Sequence, residues 1–63
     1  MATWIAWVIF IAEIIIEIIT NIPKLGYEAA RSMAFGIVAD RHGLDVDELE
    51  SHCGSAVDDH FKL

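Results

Sequence analysis

Residues 3–22, TWIAWVIFIAEIIIEIITNI, set the architecture of this chain. From Trp4 to Ala12 every residue is apolar, so a helix there is apolar on all faces and must be buried, in a membrane or in a protein core. Isoleucine also favours strands, but this run far exceeds the about 4–8 residues of a typical strand. The sequence therefore predicts a helix. At about 1.5 Å per residue, its length matches the roughly 30 Å hydrocarbon thickness of a bilayer.

The residues around this stretch predict how it lies in a bilayer. Trp4 and Trp7 lie near one end and Lys24 follows the other, where amphipathic and basic side chains favour the membrane interface. No Lys or Arg precedes the stretch, and residues 21–24 form a poor cleavage site, so a cleaved signal peptide is not expected. The basic residues all follow the span, which favours a cytoplasmic C-terminus. We expect a single-pass membrane protein anchored by Trp4, Trp7 and Lys24.

Two acidic residues interrupt the apolar stretch. Glu13 and Glu17 are four residues apart and therefore share one helix face. Nine isoleucines at about −0.5 kcal/mol each roughly offset two acids at about +2.5 kcal/mol each, so the helix alone inserts marginally. Each carboxyl must be protonated, paired or hydrated. Pairing with a partner helix is the structural interpretation, and a proton or cation path is the functional alternative.

Small and polar side chains form a stripe along this helix at spacings of three or four residues. Such stripes mark the places where helices pack closely in membranes. We predict a partner-helix interface formed by Ala2, Ala6, Ile9, Glu13, Glu17 and Thr20. The opposite face, which includes Ile5, Phe10 and Ile14, is expected to meet lipid.

The remaining residues, 23–63, are predicted to form an acidic helical tail with helices at about 24–42 and 46–61. Pro23 should end or kink the first helix, and Gly43 should end the second in the left-handed conformation. The predicted fold is all-α: a single transmembrane helix (1–22) followed by a short amphipathic helical hairpin.

The third helix has its own start signal and a narrow apolar seam. Asp45 and, three residues later, Glu48 resemble a capping box. The apolar residues that follow recur at heptad-like spacing, which predicts packing against the rest of the tail, a membrane surface or a larger subunit. The predicted packing residues are Val46, Leu49, Cys53, Val57 and Phe61.

Composition excludes several functions. Ten acidic residues face four basic ones, for a net charge of −6, and nucleic-acid binding would require clustered Lys and Arg. No histidine lies three residues after Glu13 or Glu17, as the di-metal sites of helix bundles require. His52 and His60 are about 12 Å apart along a helix, too far to share one ion. We expect no catalytic residues, no metal and no cofactor.

These features predict a small structural or accessory subunit that docks on a larger membrane protein complex through the Ala/Glu stripe. Its partners would be that complex or copies of itself, together with the lipid bilayer. Two alternatives stay open. One is a self-assembling structural protein of a virion membrane, a capsid or a filament. The other is a component of a proton or cation path that uses Glu13 and Glu17.

Overall fold

In a computed structural model that describes residues 4–62, the chain forms helices α1 (Trp4–Leu25), α2 (Tyr27–His42) and α3 (Val46–Phe61). This confirms the all-helical fold and the long apolar first helix. Within the described residues, α1 is the one helix that is long and apolar enough to cross a membrane. Core helices of soluble proteins and signal sequences can be equally long and apolar.

The break between α1 and α2 lies at Gly26 and not at Pro23. Pro23 is accommodated in the last turn of α1, because its fixed φ is close to the helical value. Reversing the chain requires a positive φ, which Gly26 adopts at 80°. The N–H of Gly26 still donates to the carbonyl oxygen of Ile22 at 2.9 Å. The second helix therefore begins at Tyr27, later than the predicted start near Lys24.

Gly43 ends α2 as predicted, in the left-handed conformation with φ 67° and ψ 35°. The N–H of Leu44 donates to the carbonyl oxygen of Ala39 at 2.8 Å, which satisfies a carbonyl at the helix end. Asp45 occupies the N-cap position of α3, but its side chain makes no capping hydrogen bond, so the predicted capping box is not formed. The carboxylates of the first turn still act favourably on the helix dipole.

Side chains from all three helices meet in one apolar core, and α1 packs most extensively against α2. Small alanines of α2 and the larger Ile14 and Ile18 of α1 are buried together in this core. Within residues 4–62, no polar or charged side chain is buried. The buried residues are Ile14, Ile18, Ala30, Ala34, Phe35, Val38, Ala39, Leu49, Cys53 and Val57.

One sequence-based expectation is reversed by this core. Ile14 was expected to face lipid, yet it is fully buried, and Phe10 on the same side is half-buried against the core. The reason is that α2 folds back along α1 after the tight turn at Gly26 and covers this side of the helix.

Candidate helix-docking surface

The side of α1 that faces away from the core is exposed and apolar. Its large side chains are 51–60% exposed, and no charged residue lies among them. We call this surface the α1 face; it consists of Ile5, Val8, Ile9, Ala12, Ile16, Ile19, Thr20 and Pro23. Trp4, which is 74% exposed, lies at its N-terminal end.

Thr20 does not make the α1 face polar. Its hydroxyl donates to the carbonyl oxygen of Ile16 within the same helix, at 2.9 Å. The hydroxyl hydrogen is therefore used by the backbone, as is common for threonine inside helices. The α1 face thus offers no free hydroxyl donor to a polar ligand.

Within the α1 face, six residues recur alternately four and three positions apart. We call this row the α1 seam: Ile5, Ile9, Ala12, Ile16, Ile19 and Pro23. A strict alternation of this kind is the a/d pattern by which one helix packs lengthwise against another. Because the α1 seam points away from α2 and α3, the helix that it fits is not part of the described fold.

The α1 face is large for so small a protein. Its exposed apolar area is on the order of 600 Å², at the top of the range for the largest patch of a typical monomer. The patch follows all of α1, roughly 33 Å at the usual helical rise, and the longest dimension of the molecule is 34 Å. Apolar patches of this extent mark surfaces that bind other macromolecules or lipid.

Glu13 and Glu17 lie at one edge of the α1 face, beside the C-terminal end of α2. Nη1 of Arg41 donates to Oε1 of Glu13 at 2.7 Å, and Nη2 lies 3.6 Å from Oε2 of Glu17. Nε2 of His42 is 3.1 Å from both carboxylate oxygens of Glu13. Both acids, expected to meet a partner helix, therefore have a cationic partner inside their own chain. The proton-path interpretation stays a prediction.

The predicted membrane anchors have different surroundings. Trp7 is half-buried and stacks on His52 of α3, with ring centroids 4.2 Å apart. It also meets Phe10 edge-on at 5.5 Å. Trp4 and Lys24 are exposed at opposite ends of α1. Trp7 thus contributes to packing between α1 and α3, while Trp4 is available to an external surface.

A polar clamp that the sequence did not predict joins α2 and α3 and is centred on Arg31. Its two terminal nitrogens donate to the two oxygens of Glu50 at 3.0 and 2.6 Å. Its Nε donates to Oδ1 of Asp58 at 2.9 Å, and the hydroxyl of Tyr27 donates to the same oxygen at 2.9 Å. The guanidinium also lies over the ring of Phe35, 4.7 Å from its centroid. The clamp fixes α3 to α2 at two points.

Electrostatics of the clamp follow from these hydrogen bonds. The hydrogen bonds that Arg31 donates to Glu50 and, to a smaller extent, to Asp58 hold the pKa of Arg31 above its ordinary value. The hydrogen bonds that Asp58 accepts from Arg31 and, to a smaller extent, from Tyr27 hold the pKa of Asp58 below its ordinary value. Gly54 lies between the two acids, and a Cβ there would come within 2.7 Å of Oε1 of Glu50. An acid, glycine, acid pattern at four-residue steps is the sequence signal that could have revealed this contact.

The predicted packing residues of α3 mostly lie in the core. Leu49, Cys53 and Val57 are buried, and Phe61 is half-buried against Tyr27 with ring centroids 5.2 Å apart. Val46 is exposed. Burial raises the pKa of the Cys53 thiol, and the charge of Glu50 adds to this effect. Cys53 is therefore placed as a core residue.

The predicted partner-helix stripe is divided by the fold. Ile9 and Thr20 lie on the exposed α1 face, Ala6 is half-buried, and Ala2 lies outside the described residues. Among residues 4–62, no three His, Cys, Asp or Glu side chains come together as a metal site requires. Every buried side-chain nitrogen or oxygen in that range has a hydrogen-bond partner. Comparison with protein-family models, with curated proteins and with solved structures finds no match to this chain.

Proposed function

We propose that the protein is a small self-assembling structural protein and that the α1 face is its contact surface. One observation carries this proposal: an exposed apolar surface with a/d register and no charged residue runs the full length of the molecule. In water, a surface of this size favours association, because burying apolar area releases about 25 cal/mol per Å².

The distribution of charge supports association through this face rather than aggregation in all directions. The acidic residues of α3 that lie outside the clamp are exposed, whereas the α1 face contains no charged residue. They are Asp47, Glu48 and Asp59. Like charges on those surfaces repel at distances up to about 8 Å at physiological salt. Repulsion there restricts contact between copies to the uncharged side.

The closed bundle also favours a protein partner over a bilayer. If α1 crossed a membrane with α2 and α3 still packed on it, their charged side chains would enter the hydrocarbon layer, at about 2.5–3.5 kcal/mol for each residue near its centre. Each of these helices has 16 residues and is about 24 Å long, too short to span it. Separating α1 from the bundle would instead leave core residues of α2, such as Phe35 and Val38, without α1 to cover them.

Molar mass in detergent-free buffer tests the proposal. The purified chain is expected to form a defined oligomer by light scattering across a dilution series. Replacing both Ile9 and Ile16 by glutamine should give a monomer with an unchanged helical circular dichroism spectrum. The matched control replaces Met33 and Val46, which are exposed on α2 and α3, and should leave the oligomer intact. A wild-type chain that is a monomer at all concentrations overturns the proposal.

A second candidate is an accessory subunit that crosses a membrane through α1. The observations in its favour are the 22-residue length of α1 and the mean hydropathy of 2.2 over its most apolar 18 residues. This candidate requires α1 to separate from α2 and α3. Flotation with vesicles of neutral phospholipid, followed by carbonate washing, separates the two candidates. If the chain stays with the vesicles and residues 4–25 are protected from protease, the result supports the membrane-subunit candidate and contradicts self-assembly in water.

A further inference from the structure

We infer that two copies of this chain pair antiparallel through the α1 seam, around a two-fold axis level with residue 14. In this arrangement Ile5 faces Pro23 of the second copy, Ile9 faces its Ile19, and Ala12 faces its Ile16. The inference rests on the proposed function, because it specifies the partner and geometry of the same surface.

The spacing of the α1 seam carries the orientation. Its positions 5, 9, 12, 16, 19 and 23 are separated by four, three, four, three and four residues, an order that is the same in both directions. A two-fold rotation therefore places every seam residue opposite another seam residue, which gives the self-complementary contact of a symmetric dimer. The α1 seam itself contains no charged residue.

Side-chain volume favours antiparallel over parallel pairing. A parallel pair would place Ala12 opposite Ala12 and leave a gap in the middle of an otherwise isoleucine-rich row. In the antiparallel pair each Ala12 faces an Ile16, so that the two central layers have the same combined volume. Close-packed interfaces need such matching, because unfilled space loses van der Waals contacts.

The area is sufficient for a stable dimer. Two surfaces on the order of 600 Å² bury about 1,200 Å² in total, which reaches the lower limit of specific interfaces and exceeds most crystal contacts. The α1 face is exposed along its whole length, since α2 and α3 lie on the other side of α1. A second copy can therefore approach without any rearrangement of the bundle.

The charges beside the axis are compatible with this pairing. Glu13 lies one residue from the level of the axis, so the carboxylates of the two copies approach each other. Each carboxylate brings its own Arg41, at 2.7 Å, and its own His42, at 3.1 Å. The two-fold axis thus brings together two ion pairs rather than two bare negative charges, which would repel.

Disulfide cross-linking of the full chain tests the orientation. In a Cys53→Ala background, one preparation carries Ile9→Cys and a second carries Ile19→Cys. Antiparallel pairing puts these two positions opposite each other, while two copies of either one are about 15 Å apart along the axis. Disulfides require Cα atoms within about 7 Å. Oxidised glutathione should therefore link the mixture and leave each preparation alone largely unlinked.

The alternative results are distinguishable. Cross-linking of the Ile9→Cys preparation with itself indicates a parallel pair and overturns the inference, while self-assembly stands. Assembly by light scattering without the mixed disulfide also overturns the inference alone. A chain that is monomeric before oxidation overturns the proposed function as well. A mixture of Ile9→Cys with Met33→Cys, an exposed position outside the α1 seam, serves as the control and should give no specific product.

Discussion

Replacing Ile16 by alanine is expected to weaken the pairing of two copies while leaving the fold of each copy intact. Ile16 lies next to the middle of the α1 seam and is 60% exposed in the single chain. Full burial of an isoleucine is worth about 1.5–3 kcal/mol, so burying the exposed part contributes on the order of 1–2 kcal/mol per copy. A symmetric dimer contains this contact twice, which gives about 2–4 kcal/mol. The dissociation constant should therefore rise about 30- to 700-fold, at 1.4 kcal/mol per tenfold change.

Stability of the single chain should change little. Ile16 faces solvent in the monomer, and substitutions at such positions usually change the free energy of unfolding by less than about 0.5 kcal/mol. Association is measured by sedimentation velocity over a dilution series. Stability is measured by urea unfolding at a protein concentration below the dissociation constant, where the chain is monomeric. Met33→Ala, at a position 44% exposed on α2, is the control. If Ile16→Ala changes the dissociation constant no more than Met33→Ala does, the α1 seam is not the interface.

Three further predictions concern the fold. Gly36→Ala should stabilise the chain by about 0.5–1 kcal/mol, since the added Cβ meets no atom within 4 Å. Gly43→Ala should instead destabilise the chain, because φ at this position is +67°. Equal shifts of the two variants in urea unfolding would contradict this prediction. The pKa of Asp58 is held below its ordinary value of about 3.9 by Arg31, so its stabilising contribution is present above pH about 4 and lost as the pH falls through the folded-state pKa. Asp58→Asn should reduce the loss of stability below pH about 4, and an unchanged pH dependence would argue against the clamp. The thiol of Cys53 is buried and its pKa is raised, so it should react with an aromatic disulfide reagent much more slowly in the folded chain than in urea; equal rates would place Cys53 outside the core.

Local rules predicted the elements of this fold well. An uninterrupted apolar stretch predicts a long helix, and Gly43 supplies the left-handed residue at which α2 ends. The amphipathic spacing of α3 pointed to Leu49, Cys53 and Val57, which are buried, because the polar residues around them leave one possible inner face. In these segments the sequence itself distinguishes the buried side from the exposed side.

Local sequence rules did not predict which side of α1 packs against α2 and α3. When a helix is apolar on every face, periodicity does not select the face that packs on its own chain. Ile14 and Ile5 are equivalent by composition, and only the fold-back at Gly26 buries the first and exposes the second. Contacts between residues distant in sequence, such as that of Arg31 with Asp58, depend on the same fold-back and have only a weak local signature.

Because α1 precedes α2 and α3 in the chain, it is synthesised before the helices that cover it. The helices that cover Ile14 and Ile18 are encoded after it, in the 36 residues from Gly26 to Phe61. A ribosome adds about 5–20 residues per second, so these residues take roughly 2–7 s to make. A helix of this length forms within about 1 μs. The core-facing side of α1 therefore stays uncovered until α2 and α3 have also left the ribosome, and until then chaperones and membranes can compete with folding for it.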